Sequence, residues 1–266
     1  MPRLAVVGHV EWVDFIPIER LPRQGEVNHA QGAFARAAGG GGVVAGVLAE
    51  LGAEVDFFCA LGDDALGRAA SEQLTERGVV VHAGWREAAP TRRALTLLEG
   101  DGERTIVTVG ERLEPRGTDE LDWDCLRRTD GVYFTAGDSV ALEHARRARV
   151  VVASPRGRAS LTAGPTVDAL VYSRSDPDES RWARRLETHA RLIVETRGAE
   201  GGVWWGESKG AWEAIPPDGP IQDAYGAGDA FAAGFLFGLA EGRSVSEAAA
   251  LGADVGARML TRRGAP

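Results

Sequence analysis

The feature that most limits how this chain can fold is an alternation. Short apolar, β-rich runs trade places with helical segments along nearly its whole length. "RLAVVG" (3–8) reads as a buried first strand ending in glycine, and "GGGGVVAGVLAELG" (39–52) as a small-residue helix with a glycine stop. "EVDFFCAL" (54–61) is a strand and "DDALGRAASEQLTERG" (63–78) an amphipathic helix. After residue 120 the pattern continues through "LDWDCLRR", "DGVYFTA", "SVALEHARR", "RVVVAS", "DALVYS", "DPDESRWARRLETHA" and "RLIVETRG". Two helices, near 227–241 and 245–260, follow a tryptophan-rich hairpin at 202–215. Repeated strand–helix units demand a mostly parallel sheet covered by helices on both faces. The chain therefore reads as one doubly wound α/β domain over 1–266. Two extended segments, near 11–36 and 90–110, break the alternation. The second is a hairpin across Glu99-Gly100-Asp101-Gly102. Such insertions are expected to form a small β-sheet lid over the carboxyl ends of the main strands.

Composition removes several function classes. The net charge is −9 over 266 residues, with no basic stripe, which argues against nucleic acid as a partner. It does not argue against phosphate, which backbone N–H groups and metal ions can hold. Cys59 and Cys125 lie far apart, without a metal-ligand spacing, and read as free thiols. The five histidines likewise show no metal spacing. No leader pattern opens the chain, and no run approaches the roughly 18 apolar residues of a membrane span. A cytoplasmic protein without a membrane partner is the expectation.

The stretch "DAYGAGDAF" (223–231) carries the chemistry. Glycine at a helix start forfeits roughly 1 kcal/mol of propensity per residue. Here Gly226 and Gly228 bracket Ala227, and Asp229 follows. A helix N-terminus presents unpaired N–H groups and a partial positive charge, and glycines let an anion approach them. Residues 226–228 would form an anion hole, with the Asp229 carboxylate placed to take a proton from a hydroxyl attacking a phosphoryl group. The same residues also fit a plain helix start, with glycines closing a turn and an acid facing the dipole.

"DAYGAGDAFAAGFLFGLAEG" resembles the C-terminal signature of the ribokinase-like, phosphofructokinase B type carbohydrate kinases. "GHVEWVDF", "RLPRQGEV", "AGGGGVVAGVLAELGAEVDFFCALGDDALG", "TRRALTLLEGDGERTI" and "IVETRGAEGG" are similar to that family's other segments, in the right order. The resemblance implies a Rossmann-like three-layer α/β sandwich with a small β-sheet lid, and transfer of the ATP γ-phosphate to an alcohol on a small molecule, usually a sugar, with Mg2+ accompanying the nucleotide. It implies Asp229 as base and Gly226, Ala227 and Gly228 as anion hole. It implies acceptor contacts from Asp14, which shares an extended face with Trp12 and Ile16, and from Gly39, Gly40, Gly41 and Gly42. Thr196, Gly198, Gly201 and Asp223 fall on the nucleotide side.

The chain departs from the family pattern in places. Val44 stands where a polar asparagine belongs, which puts the usual hexose and ribose substrates in question. Where the family keeps an Asn-x-x-Glu element for magnesium and water, the expected register is Ser173-x-x-Asp176, so Asp176 would act through water. A loop for a monovalent cation would be curtailed near 264–266. Arg104 would reach the site from the lid or stay solvated, and Trp204, Trp205 and Trp212 would pack in their hairpin or flank an adenine. Gly40-x-Gly42-x-x-Ala45 matches a dinucleotide fingerprint only weakly, because the preceding "AQGAFARAA" does not end as a β-α strand should and the first strand ends at Gly8, and no Walker motif occurs. A nucleoside or vitamin kinase of the same fold, or a ligand sensor that has lost efficient transfer, are the competing readings. The lid edges invite pairing into a homodimer.

Overall fold

The computed structural model describes residues 1–100, 104–264 and 266. The main sheet has nine strands: β1 (Arg3–Val7), β4 (Glu54–Gly62), β5 (Val79–Arg86), β8 (Gly131–Phe134), β9 (Val150–Ala153), β10 (Val167–Ser173), β11 (Ala190–Thr196), β12 (Gly202–Gly206) and β13 (Gly210–Trp212). Their order is β13-β12-β11-β10-β9-β8-β1-β4-β5. From β5 to β11 every pairing is parallel, and the β12–β13 hairpin closes the far edge antiparallel.

The strands are apolar on consecutive residues because both faces are covered. Leu4 and Val6 enter one core with α1 (Gly39–Glu50), α2 (Ala65–Glu76), α6 (Ala227–Ala240) and α7 (Val245–Met259). Ala5 and Val7 enter the other, with α3 (Ser139–Ala145), α4 (Arg158–Ala163) and α5 (Pro177–Leu186). The result is the expected three-layer α/β sandwich. Helix α6, which carries the glycine motif, sits deep because small residues let α7 close on it: a Cβ on Gly234 would lie 3.0 Å from the Gly252 Cα. "LDWDCLRR" forms a 3-10 turn at Trp123–Arg128 rather than an α-helix.

The two extended insertions build a second sheet, ordered β3-β2-β6-β7, from β2 (Glu11–Pro17), β3 (Phe34–Ala38), β6 (Arg93–Leu98) and β7 (Arg104–Val109). It is mixed, since β2 and β6 run parallel. The predicted β6–β7 hairpin forms, although Asp101 and Gly102 of its turn lie outside the described residues. Alternation divides the lid residues into two faces. Glu11, Val13 and Phe15 are buried, and β-pairing puts Thr96 opposite Phe15 and Leu98 opposite Arg104. Trp12, Asp14 and Ile16 form the opposite, outward face, half-buried, with Trp12 packing against the edge of the core.

Candidate active site

The carboxyl ends of β9, β10 and β11 open beside the first turn of α6, where an open α/β sheet binds ligands. A cleft of about 480 Å³ lies there, lined among others by Arg156, Asp176, Glu179, Thr196, Gly226 and Asp229. Gly226 caps α6 at φ 73°, a left-handed conformation in which a Cβ would also meet Val43 at 3.0 Å. A Cβ on Gly228 would meet nothing within 4 Å, so that side of the helix terminus stays open to a ligand. Ala227 does not line the cleft, and its N–H bonds back to the Ala224 carbonyl at 3.4 Å.

Asp229 is largely enclosed, its side chain 16% exposed. Burial pushes its carboxyl above the usual range, an effect only partly offset by the positive charges of Arg156 and Arg104. Arg156 Nη1 stands 3.5 Å from the Asp229 carboxylate, and its Nε lies 2.8 Å from Glu179. Glu179 in turn accepts the Ser173 N–H at 2.9 Å. Arg156 thus ties the acid on α6 to the acid on α5. Arg104 reaches the cleft from the inward face of the lid.

Ser173 and Asp176, the expected register, both line the cleft, and Glu179 stands there too, one turn later. Asp176 caps α5, accepting the N–H groups of Asp178 and Glu179 at 2.9 and 3.1 Å. The cleft therefore holds an Asp176-x-x-Glu179 element. The signal was an acid N-cap followed by proline and then glutamate, a helix-start pattern.

Of the glycine stretch, only part faces Asp229. A Cβ on Gly40 would lie 3.3 Å from both Arg156 Nη1 and Asp229 Oδ1, and 3.4 Å from the His9 ring. Gly39, at φ 78°, borders Glu11 and His9 and donates its N–H to the Tyr225 hydroxyl at 3.2 Å. Gly41 packs on the His9 carbonyl and Phe57, and Gly42 on Val10 and Ala37. Val44 is fully buried. Asp14 lies on the outward lid face, paired with Arg93 at 2.8 Å, and the structure does not bring it to Asp229.

Of the residues expected on the nucleotide side, Thr196 lines the cleft and donates its hydroxyl to the Tyr172 carbonyl at 3.2 Å. Gly198 (φ 58°) and Gly201 (φ 78°) shape the following turn, and a Cβ on Gly201 would collide with the Trp212 carbonyl at 2.1 Å. Asp223 is 1% exposed, and its two oxygens accept the N–H groups of Tyr225 at 2.6 Å and Gly264 at 2.7 Å. It anchors the loop before α6. Trp204, Trp212, Phe231 and Phe235 form a continuous ring stack, so Trp204 and Trp212 pack toward α6, while Trp205 packs on the opposite core and donates its Nε1–H to Glu187 at 2.9 Å; none of the three lines the cleft.

The residues missed by the sequence reading are Glu179, Arg156, His9 and Glu11. His9 and Glu11 gave a weak signal, an acid and an imidazole directly after the first strand. Arg156 gave none, because its partners lie far away in sequence. Cys59 and Cys125 are free thiols, as expected. Although no spacing in the sequence announces it, Asp56, His82 and Cys125 converge in the fold, their ligand atoms within 4.8 Å of one another. His82 Nε2 and Asp56 satisfy each other there at 2.6 Å.

Comparison with known proteins settles the family. The model for the pfkB family carbohydrate kinases matches residues 1–152 and 169–266. The chain belongs to that family. It is 26% identical over 276 residues to a ribokinase from Arabidopsis thaliana, covering 92% of this chain and 73% of the relative. It is 29% identical over 269 residues to an ATP-dependent ribose-1-phosphate kinase from Halopiger xanaduensis, covering 89% and 84%. Among solved structures, adenosine kinase from Sinorhizobium meliloti superposes with a TM-score of 0.79 at 23% identity, over 99% of this chain and 95% of the other. The chain is thus a carbohydrate kinase of the pfkB family on a ribokinase-like fold. Among the described residues, no helix is long and apolar enough to cross a membrane.

Proposed function

We propose that this kinase transfers the γ-phosphoryl group of ATP to a hydroxyl of a small sugar or sugar derivative, with Asp229 as general base. One observation carries the reading. An enclosed carboxyl with a raised pKa stands at the first turn of α6, against the bare Gly40 backbone and beside the open Gly228 terminus. A base of raised pKa is stronger and closer to its working pH than a solvated carboxylate. The amides at 226–228 would take charge on the migrating phosphoryl group, chiefly those of Gly226 and Gly228, which reach the cleft. Arg156 and Arg104 add positive charge on the same side.

Two acids in the cleft, Asp176 and Glu179, suit a hard cation that keeps part of its water shell. They would hold Mg2+, which when bound neutralises charge on the phosphates. Thr196 would border the nucleotide, with the turn at Gly198 and Gly201 shaping that end. Asp223 would act by positioning, since it fixes the backbone at Tyr225. Gly39 and Gly40 would lie beneath the acceptor. Asp14 does not reach the acceptor in this reading.

The ribose and ribose-1-phosphate activities in the relatives' names support a sugar acceptor. A homodimer through the lid is part of the proposal, because edge strand β7 leaves Val107 and Val109 each 51% exposed. Sedimentation should show a dimer that V107K weakens; a monomer at all concentrations removes that part. The function is tested by ADP release from Mg-ATP with sugars, nucleosides and vitamin alcohols, with and without K+. Acceptor-stimulated release is expected for a sugar or sugar derivative. Tight ATP binding without stimulation by any acceptor would mark a sensor instead.

A further inference from the structure

Beyond Gly40, away from Asp229, the side chains follow in the order His9, Glu11 and Arg92. His9 is 6% and Glu11 8% exposed. The Gly40 N–H points at His9 Nε2, 3.4 Å away, which leaves the ring proton on Nδ1. That Nδ1 is buried without a partner. Glu11 Oε2 and Arg92 Nε face each other at 3.2 Å, yet neither makes a hydrogen bond of adequate geometry. One buried patch therefore holds an unpartnered imidazole donor beside an ion pair without a well-formed hydrogen bond, polar groups that native structures seldom leave without a ligand or water.

Three arginines, Arg92, Arg112 and Arg156, flank the patch, each also facing a carboxylate: Glu11, Glu114 and Glu179. Burial and the charges of Arg112, Arg156 and Arg92 together hold the His9 imidazole neutral. The three arginines come from three places: before β6, after β7 and after β9. Glu11 engages one edge of Arg92. Arg112 donates to the Arg156 carbonyl at 3.1 Å and pairs with Glu114 on the rim, whose side chain is 34% exposed. Each guanidinium has five donors, so both Arg92 and Arg112 keep donors to spare. Neutral hydroxyls do not need two forked cations, whereas phosphate and carboxylate match that fork.

We propose that the phosphate acceptor is an anionic polyol, a sugar phosphate or a sugar acid. Its charged group lies against Arg92 and Arg112, its hydroxyls meet His9 Nδ1 and Glu11, and its reacting hydroxyl reaches Asp229 across Gly40. This rests on the kinase reading above and deepens it.

The test measures ADP release with matched acceptors: D-ribose against D-ribose 5-phosphate, and D-glucose against D-glucose 6-phosphate and D-gluconate. At least one anionic member should exceed its neutral parent in kcat/KM by roughly 100-fold, the scale of bidentate charge recognition. The phosphate and carboxylate arms show which anion is taken. R92Q and R112Q should each lower the anionic-to-neutral ratio by roughly 10- to 100-fold, through KM. R92K should fall in between, since it keeps the charge and loses the fork. Melting and ATP binding confirm folding, and R112Q decides if R92Q does not fold. Neutral parents used as well as the anions, or an unchanged ratio in folded variants, would overturn the inference and leave the kinase reading standing. No stimulation by any acceptor would overturn the kinase reading itself, and this inference with it.

Discussion

Gly40→Ala separates packing from chemistry at one atom. Gly40 is the second residue of α1, so alanine suits the backbone and gains up to about 1 kcal/mol of helix propensity. The new methyl would sit 3.3 Å from Asp229 Oδ1 and Arg156 Nη1 and 3.4 Å from His9 Cε1. Ordinary carbon contacts lie at about 3.5–4.0 Å, so three neighbours must each retreat by a few tenths of an ångström. Asp229 and Arg156 meet it with side-chain ends rather than backbone, so the fold can yield there. Net stability should change by less than about 1 kcal/mol. The same retreat displaces the base and fills space where the acceptor must lie. A misplacement on the order of 1 Å can cost about 100-fold in rate, so a loss of roughly 10- to 100-fold in kcat/KM is expected. Coupled ADP release and calorimetric melting on one preparation give both numbers. A folded G40A enzyme within about 3-fold of wild type would refute the placement of the acceptor over Gly40.

Other predictions follow from the same geometry. Because burial raises the Asp229 pKa, kcat/KM should fall with acidification at a pH above the ordinary carboxylate value of about 4, as read from a pH–rate profile that D229N lacks. A raised folded pKa also means that Asp229 favours the fold most when protonated and loses that contribution as pH rises through the folded pKa. D229N should therefore melt no lower than wild type at pH 8, with its advantage shrinking toward pH 4; a lower melting point at pH 8 contradicts the sign. D223A strips partners from two buried N–H groups, at about 1–3 kcal/mol each, and should lower the melting temperature by roughly 5–15 °C; a change below about 2 °C means the anchor is idle. E179Q should raise the Mg2+ concentration for half-maximal turnover by roughly 10-fold, and an unchanged Mg2+ titration removes Glu179 from the metal side.

The sandwich was legible because each strand and helix announces itself locally. Consecutive apolar residues in β1 and β4 and glycine stops after α1 and α2 each fix one element. The lid was legible as a break in that rhythm. Its face was not. Both Trp12-x-Asp14-x-Ile16 and Glu11-x-Val13-x-Phe15 alternate plausibly, and only the packing of Phe15 on Phe34 and Tyr225 decides which turns inward. Asp229 was visible because glycine codes for its surroundings. Arg156 was invisible because nothing near "SPRG" reveals that its partners are 23 and 73 residues away, at Glu179 and Asp229. The Asp176-x-x-Glu179 register was readable from capping chemistry, which outweighs the position of the preceding strand end.

The most direct test of the account is acceptor-dependent ADP release by Asp229→Asn, measured beside ATP affinity on the same protein. Asn keeps the shape of the side chain and removes its ability to accept a proton. Turnover should fall by roughly 100-fold or more while ATP binds within about 3-fold of wild type. Near-native turnover in D229N would contradict the claim that this carboxylate takes the acceptor's proton.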